Sequence, residues 1–315
     1  MAQKKDMGKI LRQFGLVFVA LIIIIFMSIT SDVFLTSQNI INILRQISIN
    51  GILAVGMTFV ILTGGIDLSV GSVVAITGVI AGSLLKDGHN WFIACLAALV
   101  ISVICGIING WLIAYIGFQP FIATLSTMTI GRGFAQVYSD GKPYAISDPA
   151  FKTIGQGTFL GIPVPIILLV IFCIIGLVIL MMTTFGRYVF AIGGNMSAAK
   201  LSGVRTQRIQ TMVYVFSSIC AWMAGLILAA RISSGQPNAG ESYEMDAIAA
   251  TAIGGTSMNG GIGSLTGTII GFIILGLLQN SMNLMNINSF WQQIVKGILI
   301  IVAVFLDMRT KGKKN

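Results

Sequence analysis

One acidic residue, Asp67, stands apart from the other charged residues because long apolar runs flank it. No other acid lies between Asp32 and Asp87. An ionisable side chain within or beside a membrane span is costly, which marks it as a candidate for function. Asp67 or Ser69 could instead cap the following helix, with the glycines of segment 63–72 allowing a tight reversal. We favour this capping role over direct substrate contact.

Uncharged polar residues recur at helical spacing inside the apolar runs. They form three pairs, Gln46 with Asn50, Thr124 with Thr127, and Asn280 with Asn283. Each pair occupies one face of a helix. Amides and hydroxyls suit a neutral solute that carries hydroxyl groups, and the rings of Phe121 and Phe134 could stack against it, so these positions are candidates for a substrate pathway. Hydrogen bonding between helices is the alternative.

The composition requires a membrane. Hydrophobic residues make up 56% of the chain and charged residues only 9%, whereas about a quarter of the residues in a soluble domain are charged. The apolar runs do not alternate as barrel strands do, so the predicted class is all-α and polytopic. The four cysteines lie in apolar runs without a CxxC pattern or a nearby histidine, which supports neither a metal site nor disulfides.

Charge-free runs long enough to cross a bilayer predict about ten transmembrane helices in a single domain covering residues 1–315. The expected spans are 13–31, 45–67, 67–86, two within 90–138 divided near Asn109–Gly110, 162–183, 211–230, two within 247–295 divided around Gly260, and 290–306. The first run is a retained span, since no cleavage pattern follows it. Segments near 139–161 and 231–246 are expected to be extracytoplasmic loops.

The basic residues indicate the orientation. Both chain ends are basic, and an even number of spans places both on the same side, which is the cytoplasm by the positive-inside rule. The same count places loop 184–210 in the cytoplasm, and that loop has several positive charges and no acid. The net charge of +9 therefore reflects topology and not nucleic-acid binding.

Loop 184–210 is predicted to contain a short helix. Asn195 can cap its first free amides, Met196 to Leu201 favour helix, and Gly203 provides a stop. An ordinary cytoplasmic loop with positive-inside charge remains an alternative.

A second pattern indicates a duplication, because Gly64, Gly65 and Gly71 recur at one fixed offset. Their counterparts are Gly254, Gly255 and Gly261. Broken helices at matched positions in two halves would mark a transport pathway.

The order Ser197-Ala198-Ala199, followed after three residues by Gly203, resembles the Glu-Ala-Ala-x-x-x-Gly loop of ATP-binding-cassette (ABC) importer permeases. Here Ser197 replaces the glutamate and no Leu-Pro follows, which suits the branched sugar-permease group better. LTGGIDLSVGS closely resembles the signature of ribose- and monosaccharide-type permeases. Similar segments cover almost the whole chain, namely QISINGILAVGMTFVILTGGIDLSVG, PFIATLSTMTI, LGIPVP, FGRYVFAIGGN and GESYEMDAIAATAIGGTS.

The resemblance implies the permease subunit of an importer in a bacterial plasma membrane, carrying a monosaccharide and most specifically ribose. It implies two permease copies, a separate ATPase subunit that holds ATP and Mg, and an extracytoplasmic sugar-binding protein. The ATPase would bind a coupling helix that includes Asn195, Ser197, Ala198, Ala199, Lys200 and Gly203. No cofactor is expected on this chain itself.

The sequence also bears on the source of energy. It has no GxxxxGK[ST] phosphate loop and no acidic or histidine relay through the spans, so the energy for uptake is expected from a partner rather than from enzymatic activity of this chain. A self-contained secondary sugar carrier is the alternative. A passive scaffold or channel is a weaker one, because it gives no reason for the coupling-like loop.

Overall fold

The computed structural model describes the backbone of residues 2–312 and the side chains of residues 15–302, 304 and 305. The described chain is almost entirely helical. Its helices are α1 Ala2–Thr30, α2 Ser37–Leu62, α3 Val70–Lys86, α4 Trp91–Trp111, α5 Pro120–Ser139, α6 Pro149–Gln156, α7 Val164–Met182, α8 Thr184–Gly194, α9 Met196–Leu201, α10 Thr206–Ile232, α11 Tyr243–Ile253, α12 Leu265–Leu284 and α13 Ser289–Gly312.

Two pairs of very short antiparallel strands supplement the helices. Strand β1 (Tyr144–Ala145) pairs with β4 (Ser234–Gly235), with Tyr144 opposite Gly235. Strand β2 (Thr158–Phe159) pairs with β3 (Ile162–Pro163), with Phe159 opposite Ile162. Leu160 and Gly161 form the turn of the second pair and both have positive φ, at 50° and 81°. Positive φ at both central residues is the conformation of a type I′ turn, which is common in two-residue hairpins.

In the described part of the chain, five helices are long and apolar enough to cross a membrane: α2, α4 with its extension to Ile116, α7, α10 and α12. Shorter apolar helices cover residues 15–30, 70–86 and 289–302. These findings confirm an all-α polytopic membrane fold. Helix α11 has 11 residues, which corresponds to about 16 Å and is too short to cross a hydrocarbon core of about 30 Å.

The predicted division at Asn109–Gly110 is wrong. Helix α4 continues through both residues and through a π-helical turn at Leu112–Ile116, and the chain reverses at Gly117 with φ of 88°. Gly110 instead allows close packing, because a Cβ atom there would lie 2.5 Å from the Cα atom of Thr211 in α10. A polar-plus-glycine dipeptide inside an apolar run thus marks a helix contact and not a turn.

The two predicted extracytoplasmic loops are more structured than expected. Segment 139–161 contains β1, β2 and helix α6, whose first turn is capped by the Asp148 carboxylate accepting a hydrogen bond from Phe151 N at 2.8 Å. Segment 231–246 shortens to residues 233–242, because α10 extends to Ile232 and α11 begins at Tyr243. The acidic residues Glu244 and Asp246 therefore belong to a helix.

Helix α2 is the centre of the molecule. Nearly every residue from Ile47 to Leu62 is buried, as expected for a helix that is apolar on all sides. Helices α7, α10, α11 and α12 pack around it. Most of the surface of α4 and α7 is exposed instead, which leaves these helices facing the surrounding lipid.

Helices α2–α5 and α10–α13 show the same packing pattern. Helix α10 packs on α3 and α4, as α2 packs on α11 and α12. Helix α3 packs on α4 and α5, as α11 packs on α12 and α13. In each set a non-helical segment, 63–69 or 233–242, precedes a short helix. The chain thus contains two equivalent halves.

The glycine repeat predicted from the sequence does not match these halves. Gly64 has φ of 80°, whereas Gly254 has φ of −61°. Gly71 lies within α3, whereas Gly261 has φ of 71°. The two glycine-rich turns are in contact, with Gly261 N donating to Leu62 O at 2.9 Å. The glycines are neighbours at one end of the molecule and not copies of one another.

Candidate functional site

Asp67 lies at the centre of a buried hydrogen-bond network in the segment between α2 and α3. Its Oδ1 atom accepts hydrogen bonds from Ser69 N at 3.0 Å and Ser69 Oγ at 2.6 Å. Its Oδ2 atom accepts one from Ser217 Oγ of α10 at 2.8 Å. The residue has no exposed surface. Asp67 therefore orders the turn that enters α3 and fastens it to α10.

The network continues into α4 and α5. Asn109 Nδ2 donates to Ser69 Oγ at 2.8 Å, and Thr127 Oγ1 donates to Asn109 Oδ1 at 2.6 Å. Thr124 Oγ1 donates to Ile66 O at 3.1 Å. Thr124 thus bonds to segment 63–69, and Thr127 belongs to the same hydrogen-bond network as Asp67. Both threonines therefore have the interhelical role stated above as the alternative.

A second buried carboxylate lies in the other half of the molecule. Lys296 Nζ of α13 lies 2.8 Å from Asp246 Oδ1 of α11, with side-chain exposures of 18% and 5%. Asn50 Nδ2 of α2 donates to Asp246 Oδ2 at 3.2 Å. A charge in such surroundings is tolerated because an opposite charge and a hydrogen bond compensate it. Asp246 therefore ties the short helix α11 to both α2 and α13.

The two carboxylates hold equivalent places. Asp67 joins the segment before α3 to the long helix α10, and reaches α5 through Ser69, Asn109 and Thr127. Asp246 joins α11 to the long helix α2, and reaches α13 directly. Each half thus uses one buried acid to hold its short helix between the long helix of the other half and its own last helix.

Arg132 of α5 provides a third polar tie. Its Nη1 atom donates to Pro237 O at 2.9 Å and to Ala239 O at 2.6 Å. Both carbonyls belong to the non-helical segment 233–242, whose Gly240 approaches Gly71 of α3 so closely that no Cβ would fit at either residue. The guanidinium therefore provides hydrogen-bond donors for two backbone carbonyl groups that lie outside any helix.

The remaining pathway candidates lie apart from one another. Gln46 is half-buried one turn from Asn50, and Phe121 and Phe134 are exposed on α5. Asn280 exchanges two hydrogen bonds with Asn39 of α2, at 2.8 and 3.1 Å.

Asn283 of the same pair accepts a hydrogen bond from Gln292 Nε2 at 2.8 Å. Asn280 and Asn283 thus bond α12 to two different elements, which is the interhelical role stated as the alternative. In this conformation the candidates do not converge on one sugar site.

The predicted helix in loop 184–210 is confirmed as α9. Asn195 Oδ1 accepts a hydrogen bond from Ala198 N at 3.0 Å, and the chain leaves the helix at Gly203 with φ of 84°. The sequence did not predict α8, which precedes it. Helix α9 presents Ser197, Ala198 and Lys200 to the exterior, whereas Ala199 is buried against the body of the protein.

The exposed surface of α9 ends in an apolar side chain, because Leu201 is 90% exposed. A second leucine, Leu160, is similarly exposed: it is 87% exposed at the tip of the β2–β3 hairpin. Helix α7 lies between them and is about 28 Å long. The molecule therefore has two opposite ends, each with an exposed leucine.

A groove of about 530 Å³ between α1, α2, α7 and α12 is lined by apolar side chains, including Phe34, Ile43, Leu169 and Phe272. A sugar requires hydrogen-bond partners for its hydroxyl groups, and this lining offers none. The groove is therefore unsuited to the substrate class that the polar pairs suggest.

Residues 39–304 match the protein family described as "Branched-chain amino acid transport system / permease component". The chain belongs to this permease family. It is 46% identical over 290 residues to the ribose import permease protein of Bacillus subtilis, covering 91% of this permease and 90% of the relative.

Two further relatives extend the comparison. The ribose import permease protein of Haemophilus influenzae is 48% identical over 302 residues, covering 94% of each chain. The L-arabinose transport system permease protein of Escherichia coli is 40% identical over 309 residues, covering 98% of this permease and 94% of the relative. No solved structure matches at a significant level. The chain is a transport subunit and a multi-pass protein of the bacterial plasma membrane.

Sequence reasoning missed Asp246 and Lys296 as partners. It assigned Asp246 to a polar loop and gave no role to Lys296 in the last span. The available signal was the lysine itself, since a cation inside an apolar run requires a compensating acid. Fifty residues separate the two in the chain, so only the packing of α11 on α13 brings them together.

We predict that Lys296→Met destabilises the permease by about 3–5 kcal/mol, because it leaves the buried Asp246 carboxylate without its counter-charge. The measurement is thermal unfolding of the purified protein in detergent. The control is Lys142→Met, which breaks the Lys142–Asp140 pair, whose side chains are 78% and 89% exposed. Such a pair contributes at most about 1 kcal/mol.

The double variant Asp246→Leu/Lys296→Met removes both charges and should recover much of the loss. An unfolding midpoint for Lys296→Met equal to that of Lys142→Met would show that the ion pair does not hold α11 in place.

Proposed function

We propose that this chain is the membrane-spanning subunit of an ABC importer that carries ribose into the cytoplasm with ATP hydrolysed by a separate subunit. The observation that carries the proposal is the 46–48% identity to ribose import permease proteins over more than nine-tenths of the chain. A relative at 40% identity is an L-arabinose permease, so monosaccharides in general are the wider substrate class.

The partners follow from the two ends of the molecule. The ATPase subunit binds the end that presents α9, where a capped helix and the exposed Leu201 offer a compact apolar contact. An extracytoplasmic sugar-binding protein binds the opposite end, which carries α6 and the β2–β3 hairpin. ATP and Mg belong to the ATPase subunit.

A second copy of the chain completes the pathway. Helix α5 exposes large apolar side chains including Phe121, Ile130 and Phe134, and α13 exposes Ile298 and Ile301. These helices end the two equivalent halves, so a homodimer formed along them would place Phe121, Thr127 and the Asp246–Lys296 region near a shared axis. The polar ties of both halves would then adjoin the route of the sugar.

We further propose ten membrane segments with both termini in the cytoplasm. Each predicted span interval contains a helix. The eighth segment combines α11 with the preceding non-helical segment 233–242, which runs along α3 with Gly235 against Gly78 and Gly240 against Gly71. This orientation places α9 in the cytoplasm and the β2–β3 hairpin outside.

The orientation predicts which exposed position a membrane-impermeant maleimide reaches. In right-side-out spheroplasts, Leu160→Cys should be labelled and Leu201→Cys should be labelled only after permeabilisation. Background is low because Cys95, Cys173 and Cys220 are buried and Cys105 is partly buried. Labelling of Leu201→Cys in sealed spheroplasts would reverse the assigned orientation.

Transport itself is tested in proteoliposomes. The permease alone should show no concentrative ribose uptake, whereas the permease with its ATPase subunit, its binding protein and lumenal ATP should accumulate labelled ribose. The reason is that the chain has no ATP-hydrolysing motif of its own. Accumulation by the permease alone, driven by a proton or sodium gradient, would establish the secondary-carrier alternative instead.

Docking of the ATPase is tested at Leu201. Burying a leucine stabilises a contact by about 1.5–3 kcal/mol, so Leu201→Asn should weaken ATPase association roughly 10- to 150-fold. Leu160→Asn is the matched control at the opposite end and should leave association unchanged. Equal association for Leu201→Asn and wild type would exclude α9 as the main contact. Ala199 of the same helix is buried within this chain, so a substitution there would test its own packing and not docking.

A further inference from the structure

A pocket of about 380 Å³ lies beside α9, between the first turns of α8 and α10. Helix α8 contributes Thr184, Phe185 and Tyr188 to its lining. The segment leading into α10 and the first two turns of α10 contribute residues from Gly203 to Met212. Its volume is in the range of sites that hold small ligands. The transport function proposed above gives this pocket no role.

One end of the pocket is cationic. Arg205 and Arg208 line it, and both are exposed. Within residues 15–302, no carboxylate lies within ion-pair distance of either guanidinium. The whole segment 184–210 contains no acidic residue. Two adjacent guanidinium groups without a counter-charge are suited to a phosphate group, which a guanidinium binds with two parallel hydrogen bonds.

The other end of the pocket is apolar and reaches towards the membrane. Met212 lines it, is 47% exposed, and lies about 9 Å along the axis of α10 from Thr206. Tyr188 is also exposed, and tyrosine is enriched where membrane and water meet. Met181 and Met182 are exposed at the adjacent end of α7. The pocket therefore changes from cationic to apolar along the axis of α10.

We propose that this pocket binds an anionic phospholipid, with its phosphate on Arg205 and Arg208 and the start of an acyl chain against Met212 and Ile209. A lipid fits both ends, whereas an acidic side chain of a partner protein would fit only the cationic end. On the orientation proposed above, the lipid comes from the cytoplasmic leaflet. Because the pocket adjoins α9, a bound lipid would stabilise the position of α9, which is the surface that the ATPase subunit contacts.

Native mass spectrometry of the purified, delipidated full-length protein tests the proposal. Dioleoylphosphatidylglycerol should bind at least tenfold more tightly than dioleoylphosphatidylcholine, since each basic residue near the headgroup contributes about 1 kcal/mol, or roughly fivefold. Arg205→Gln and Arg208→Gln should each weaken phosphatidylglycerol binding about fivefold. Arg187→Gln is the matched control, because it removes the same charge from the same loop outside the pocket lining.

Two further arms identify the occupant. Met212→Asn should weaken phosphatidylglycerol binding, because it places an amide where the acyl chain lies. Inorganic phosphate and glycerol 3-phosphate should neither bind measurably nor displace the lipid. Thermal unfolding of the arginine variants should match wild type, since both arginines are exposed and neither forms an ion pair among the described residues.

Three results would overturn the proposal. One is an Arg187→Gln effect as large as that of Arg208→Gln, which would indicate general surface charge. Another is displacement of the lipid by inorganic phosphate, which would indicate a soluble anion. The third is weaker ATPase association of the Arg205 and Arg208 variants in lipid-free detergent with lipid binding unchanged, which would make the pocket a protein contact. None of these results depends on whether the sugar is ribose.

Discussion

The interior of this protein depends on one constraint, which is that a charge or polar group removed from water must find its partner within the chain. Asp67 meets it with two serines, and Asp246 meets it with Lys296 and Asn50. Each carboxylate sits where a helix is interrupted or begins. Both short helices are therefore held in place by polar bonds as well as by apolar packing.

The two halves of the molecule satisfy this constraint with different chemistry. Around Asp67 the partners are hydroxyls and an amide, so the charge is spread over several neutral hydrogen bonds. Around Asp246 a lysine neutralises the charge directly. The first arrangement fastens a tight turn, and the second joins two helices across their sides.

The two ends of the molecule expose different surfaces. At one end α8, α9 and the start of α10 combine a capped helix, an exposed leucine and, beside an apolar surface, two arginines that form no ion pair with the described residues. At the other end α6 and a hairpin present Leu160, anchored by Gln156, whose side chain donates to Ala230 O at 3.0 Å. Helix α7 connects these two ends directly.

The sequence by itself determined the membrane class, the approximate place of the long apolar helices and the helix with its Asn195 cap, because apolar run length, charge and capping are local properties. It also carried the motifs of the permease family. Only the tertiary structure decided that Asn109–Gly110 is a packing contact and that Asp246 pairs with Lys296. It also decided which short segments correspond between the halves. These depend on contacts between residues far apart in the chain, and neither composition nor periodicity encodes which helix faces which.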